Sequence, residues 1–237
     1  MRIVESRARG CVTALALFVL VASGGCAIRR DAPLDVAQLA PIGVRLDAVD
    51  HGGRAAVRVV EDPSARGSDA LAVLTGSDFA DGTIEVDVAA APGPSASPTA
   101  RGFVGVAFRI QSAGAQDGVG PFEAIYLRPT NGRADDQLRR NHSTQYIASP
   151  EYPWERLREE TPGQYESYVD LVPDAWTRMR IVVDGTHARL FIGDAEQPCL
   201  IVNDLKHGAS RGTVGLWIGS GTVAYFANLR VTPAGAR

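Results

Sequence analysis

The stretch WTRMRIVVDGTHARLFIG, Trp176 to Gly193, places two alternating runs on either side of Asp184-Gly185. Alternation with a period of two sends successive side chains to opposite faces of a strand, and Asp-Gly suits the positive φ that a tight hairpin turn demands. The same grammar recurs along the chain. Val44 to Asp50 and Arg54 to Glu61 read as a hairpin turning on Gly52 and Gly53. GTIEVDVA sets Ile84, Val86 and Val88 against Thr83, Glu85 and Asp87. GFVGVAFRI puts Val104, Val106, Phe108 and Ile110 on one face and Gly105, Ala107 and Arg109 on the other. Further strands are read in FEAIYLRP, YESYVDL, CLIVND, GTVGLWIG and TVAYFANLRV, and no segment reads as a long amphipathic helix. About ten to twelve short strands with glycine-rich turns predict an all-β fold, an antiparallel β-sandwich or jelly roll.

The amino terminus stands apart from that pattern. Arg2, Arg7 and Arg9 precede the apolar run VTALALFVLVA, Val12 to Ala22. Such a run is a secretory signal, too short for the roughly 20 residues of a membrane span. It ends in ASGGC, small residues leading directly to Cys26, as in a bacterial lipoprotein signal whose cysteine becomes a lipidated amino terminus. Plain cleavage near the same place is the alternative. The expected organisation is therefore a signal peptide over 1–26, a tether over 27–39 and one domain over 40–237. The expected address is the periplasm or outer membrane, anchored at Cys26, with membrane contact through the lipid alone.

Cys11 leaves with the signal and Cys26 takes the lipid, so Cys199 has no partner and the fold must stand on packing. In EQPCLIVND it reads as a small buried hydrophobe. The formal net charge is −3, and removal of the signal makes the remainder more acidic, which excludes an electrostatic case for nucleic acid. Lys206 is the sole lysine. In so arginine-rich a chain, one more arginine is weak grounds for a binding site. His51, His142, His187 and His207 are scattered and set no zinc spacing, and no metal site is assigned. Asp135-Asp136 with Asn141 offer oxygen donors that suit calcium, although adjacent acids are more often simply solvated. Glu85 and Asp87 share a strand face as a pair of catalytic carboxylates would, but Ala89 and Ala90 stand where a further Glu is needed. They read as a solvent-facing strand edge.

GFVGVAFRIQ, FEAIYLRP, WTRMRIVVDGTHARLFIG and GTVGLWIGSGTVAYFANLRV resemble successive strands of a concanavalin A-like domain. The nearest type is the 3-keto-disaccharide hydrolase-like family. The resemblance covers roughly Ala40 to Thr232 and rests on an Arg ending one strand, an aromatic-Glu pair opening the next, and a closing G-x-V-G-L and F-x-N-L pair. It implies hydrolysis of modified sugars, with polar residues on a concave sheet. By strand position it brings forward Glu123 and Arg109; in a catalytic site Glu123 is the expected general acid or base and Arg109 or Arg128 its electrostatic partner. Ile125 departs from the family, standing where a polar residue is usual.

From Thr130 to Thr161 no periodicity is sustained, and so long a loop in a compact domain is usually functional or disordered. Tyr146, Ile147, Tyr152, Trp154 and Leu157 are too apolar for disorder, so a folded lid over one mouth of the sandwich is expected. Sugars bind to aromatic faces together with planar polar groups. The expected ligand-binding set is Tyr126, Arg128, Asn131, Asp135, Asp136, Arg139, Asn141, His142, Gln145, Tyr146 and Trp154. The competing reading pairs Asp135, Asp136, Arg139 and Arg140 among themselves as a solvated loop. Glu123 and Arg128 fall on opposite faces of an unbroken strand, so either one is structural or a bulge lies between them. The sequence thus leaves open a hydrolase, a lectin-like carbohydrate-binding module and a structural envelope lipoprotein. It assigns no cofactor and no oligomeric state.

Overall fold

A computed structural model describes residues 34–65, 70–112 and 118–235. The signal segment and Cys26 lie outside the described residues. The rest forms two antiparallel sheets of seven strands. The front sheet runs β1 (Leu39–Ile42), β4 (Leu71–Leu74), β13 (Thr213–Ile218), β6 (Val104–Ile110), β7 (Phe122–Leu127), β8 (Thr144–Ser149) and β9 (Glu166–Ser167). The back sheet runs β12 (Leu200–Val202), β11 (His187–Ile192), β10 (Thr177–Asp184), β5 (Gly82–Pro92), β14 (Thr222–Pro233), β3 (Arg54–Glu61) and β2 (Val44–His51). This is the jelly roll expected from the strand pattern. Among the described residues no helix is long and apolar enough to cross a membrane.

The hairpins form where alternation meets turn chemistry. Gly52 and Gly53 both take positive φ, 58° and 75°, as a tight turn between β2 and β3 requires. Register then aligns the apolar faces. Ile84 lies between Ile181 and Val231, and Val86 lies opposite Met179. On the front sheet Val106 lies between Leu216 and Ile125, with Tyr146 beyond. All but the half-buried Val231 are buried in one contiguous core.

Four expectations need correction. The domain begins before Ala40: Leu34 and Val36 pack on the core, and Asp35 caps a short 3₁₀ turn leading into β1 at Leu39. Glu85 and Asp87 do not lie on an edge, because β5 is the central strand of the back sheet. Asp87 is buried there and accepts hydrogen bonds from Arg54 (2.7 Å) and Asn228 (2.7 Å). The Thr130–Thr161 stretch is not one lid. Its middle, TQYIAS, is β8, whose first five residues are all buried, so the period-two signal vanishes. The helices α1 (Gln137–Asn141) and α2 (Trp154–Glu160) flank that strand, and α2 packs against it with Leu157 buried.

Arg109 is the fourth. It has a left-handed backbone, φ 54°, and the register opposite it shifts between Thr213 and Gly215. That bulge breaks the alternation and leaves Arg109 only 1% exposed. Its guanidinium donates to the carbonyls of Ala80 (2.9 Å), Gly208 (2.8 Å) and Gly185 (2.7 Å) and to Asp81 (3.0 Å). It clamps β6 to the β10–β11 turn of the other sheet and to two loops that join the sheets.

Candidate functional site

A pocket of about 520 Å³ opens beside the far end of β7, walled by Arg101, Phe103, Arg128, Arg139, Trp154 and Arg158, with Thr99, Asn131, Asp136, Leu138 and His142. A second hollow of about 710 Å³ adjoins it. It shares the walls Leu138, His142 and Arg158 and adds Asn141, Glu166, Ser167 and Tyr168.

Arg128 is the hub. Proline follows it, so β7 stops and a 3₁₀ turn, Pro129–Asn131, begins at once. Period two puts Tyr126 and Arg128 on one face, and one guanidinium nitrogen donates to the Tyr126 hydroxyl (3.0 Å) and to Gln145 Oε1 (3.1 Å). The other donates to the His142 carbonyl (3.3 Å). The same guanidinium lies 5.2 Å from the Phe103 ring centre and 5.4 Å from those of Tyr126 and Trp154. A desolvated cation among aromatic faces gains about 1–2 kcal/mol per good contact, which helps Arg128 tolerate 3% exposure. Tyr126 packs in turn on Trp217, ring centres 4.7 Å apart.

Glu166, on the edge strand β9, neutralises the neighbouring charge. It accepts two hydrogen bonds from Arg158 (3.0 and 2.6 Å) and lies 3.6 Å from Arg128 and 3.2 Å from His142 Nε2. Burial holds the His142 imidazole below its ordinary pKa, with help from Arg158 and Arg128 and against the pull of Glu166. Arg158 also lies over the Trp154 ring, 4.5 Å from its centre, because residues four apart share a helix face.

The remaining wall is the polar segment before β8. Asp136 caps α1, accepting from the Arg139 N–H (2.6 Å). The Arg139 side chain turns back to Asn131 Oδ1 (3.0 Å) and the Thr130 carbonyl (3.1 Å). Arg140 donates to the Tyr168 hydroxyl (2.9 Å), and Gln137 to Asn141 (2.7 Å). The self-paired loop of Asp135, Asp136, Arg139 and Arg140 is therefore not the arrangement: among the described residues Asp136 is met by the backbone N–H groups of Arg139 and Arg140 and by neither guanidinium. Of the oxygen donors named for calcium, Asp136 caps the helix and Asn141 accepts from Gln137. Among the described residues no three His, Cys, Asp or Glu gather as a metal site.

Of the expected residues, the structure brings Arg128, Asn131, Asp136, Arg139, His142 and Trp154 to the first pocket and Asn141 to the second. Tyr126 and Gln145 are buried beneath them as acceptors for Arg128, and Asp135 is exposed and lines neither hollow. Tyr146 points into the core, where its hydroxyl accepts from the Lys206 N–H (2.7 Å) and donates to Glu123 Oε2. Glu123 is 0% exposed, and its other oxygen accepts from the His207 N–H (3.0 Å). Burial raises its pKa, and the bonds from Tyr146 and His207 oppose that shift. The catalytic places expected for Glu123 and Arg109 are thus corrected: both are interior tethers, and neither lines the pocket. No bulge separates Glu123 from Arg128; the inner of the two is structural.

Arg101, Phe103, Leu138, Arg158 and Glu166 were not expected. Arg158 had a legible signal, its i,i+4 spacing from Trp154. Arg101 and Phe103 follow a Pro/Ser/Ala-rich loop whose course no pattern announces.

The class defined by these sheets is the antiparallel β-sandwich jelly roll. No protein-family model matches the chain, and no curated protein matches it in sequence. Among solved structures the fold is similar to a carbohydrate binding module, CBM66, from Bacillus subtilis, with 11% identity and a TM-score of 0.53 over 81% of this chain and 93% of that one. It is also similar to a protein of unknown function with a galectin-like fold from Bacillus subtilis, with 12% identity and a TM-score of 0.53 over 82% and 88%. At such identities the likeness is one of fold.

Proposed function

We propose that the chain is a carbohydrate-binding domain and that the pocket around Trp154 is its site. The observation that carries this reading is the partly exposed Trp154 ring in a pocket whose walls also include four planar guanidiniums and Phe103. A sugar offers a C–H face for an aromatic ring and hydroxyls for forked donors, and such pockets combine apolar walls with a few placed polar groups. The similarity of fold to a carbohydrate binding module supports the same reading. Hydrolysis is the weaker reading, because the carboxylates at the pocket are already engaged, Asp136 as a helix cap and Glu166 by Arg158. Attachment to the envelope through Cys26 belongs to the proposal, and incorporation of labelled palmitate, lost in Cys26→Ser, tests it.

The test of binding is titration of a glycan panel by calorimetry, with released monosaccharide measured in the same samples. Binding without release is expected, weakened at least about tenfold in Trp154→Ala, which removes a stacked ring at the margin of the core, with the urea midpoint of the variant measured alongside. Absence of binding to every glycan, or release of sugar, overturns the reading.

A further inference from the structure

Within that pocket the four guanidiniums are not alike. Arg128 and Arg158 share the single carboxylate of Glu166, at 3.6 and 2.6 Å. Arg101 and Arg139 are bound to neutral groups alone. Arg101 donates to the carbonyls of Pro98 (3.3 Å) and Ala100 (3.0 Å). Arg139 donates to Asn131 Oδ1 (3.0 Å) and to the carbonyl and hydroxyl oxygens of Thr130 (3.1 and 3.3 Å). Among the described residues neither is ion-paired, and Asp136 on the same wall faces the Arg139 backbone instead. The two cations are also tied to one another through Thr130, whose N–H donates to the Arg101 carbonyl (3.4 Å).

Two unneutralised cations in one pocket repel, and loss of solvent adds to the cost. Desolvation and the Arg139 charge together hold the Arg101 guanidinium below its usual pKa. Nor does a general excess of positive charge account for them, since the chain as a whole carries −3. An anion between them relieves the repulsion and accepts paired N–H donors in the planar geometry that arginine presents.

We infer that the pocket takes an acidic saccharide, its sugar face against Trp154 and its anionic group, a uronate carboxylate or a sulfate ester, received by Arg101 and Arg139. The inference rests on the carbohydrate reading of the same pocket and goes beyond it in naming the substrate class. The pocket's volume, about 520 Å³, lies within the ~300–1,000 Å³ of small-ligand sites.

The experiment is calorimetric titration of the full-length chain in detergent with three sets of oligosaccharides: uronic-acid oligomers, the same oligomers with every carboxyl reduced to the alcohol, and sulfated neutral oligomers. The expected result is that an acidic set binds at least about tenfold more tightly than the reduced set. That advantage shrinks as salt is raised. Arg101→Gln and Arg139→Gln each remove most of it, so that acidic and reduced oligomers bind the variant with nearly equal affinity, and Arg101→Lys retains part of it. The comparison of acidic with reduced ligand needs no substitution, so a variant that fails to fold does not spoil the test. Preference between the uronate and sulfated sets identifies the source of the anion. Reduced oligomers binding as tightly as acidic ones overturns the inference and leaves the carbohydrate reading standing; no binding by any set overturns both.

Discussion

Replacing Arg109 by alanine leaves the carbonyls of Ala80, Gly185 and Gly208 without the donor that now reaches them at 2.9, 2.7 and 2.8 Å. Asp81 loses a partner too, but 39% of its side chain is open to water and it keeps the Gly185 N–H, so its share of the loss is small. A net loss of about 1–1.5 kcal/mol for each stranded carbonyl brings the cost to roughly 4 kcal/mol. With a urea slope of about 2 kcal/mol/M, the unfolding midpoint falls by roughly 2 M at unchanged slope. Arg109→Gly sharpens the test. In a strand glycine is ordinarily worse than alanine by about 0.5–1 kcal/mol. At φ 54° the order reverses, because the left-handed backbone costs an L-residue about 1–2 kcal/mol that glycine avoids. Urea unfolding followed by tryptophan fluorescence reads both variants. A loss below about 1 kcal/mol for alanine, or alanine no less stable than glycine, refutes the clamp. Glycan affinity lost in a variant of unchanged stability would return Arg109 to the binding site.

Glu123→Gln changes how stability depends on pH. The folded carboxyl titrates above its usual 4.5, so the native state holds a proton that the unfolded chain releases, and wild-type stability falls as pH rises from about 4.5 toward the raised value. Urea midpoints taken across that range lose this slope in the variant. Gly105→Ala puts a methyl carbon 2.3 Å from the Ile125 carbonyl oxygen and 2.5 Å from Tyr126 Cα, backbone that cannot swing aside. A stability loss of about 1–3 kcal/mol or more is expected by urea unfolding, together with weaker glycan binding as Tyr126 shifts beneath Arg128. The Cys199 thiol is pushed up to about 11 by burial, from an ordinary 9.0. At pH 8 its native labelling, resolved by peptide mass spectrometry, runs at least about a hundredfold slower than in urea.

What the sequence disclosed depended on whether one face of an element meets water. The β2–β3 and β10–β11 hairpins were legible because their outward residues are polar and their turns carry glycine. The β8 strand was not, since Thr144 and Gln145 are buried as fully as Tyr146 and Ile147, and a strand buried on both faces has no period to read. The candidate site was half legible for a related reason. Trp154, Arg128 and Arg139 stood out by type, but type does not reveal partners. Arg109 and Arg128 are nearly equally buried, at 1% and 3%, and have opposite occupations. One is consumed by carbonyls of the β10–β11 turn and of loops that join the sheets; the other lines a pocket. Glu123 and Glu166 divide the same way, the first held by the His207 N–H and the Tyr146 hydroxyl, the second set among Arg128, Arg158 and His142. Those partners come from residues tens of positions away, so alternation can place a charged side chain on a face without telling which charge is spent. The two arginines whose charge is not spent, Arg101 and Arg139, are for that reason where a ligand's charge has most to gain.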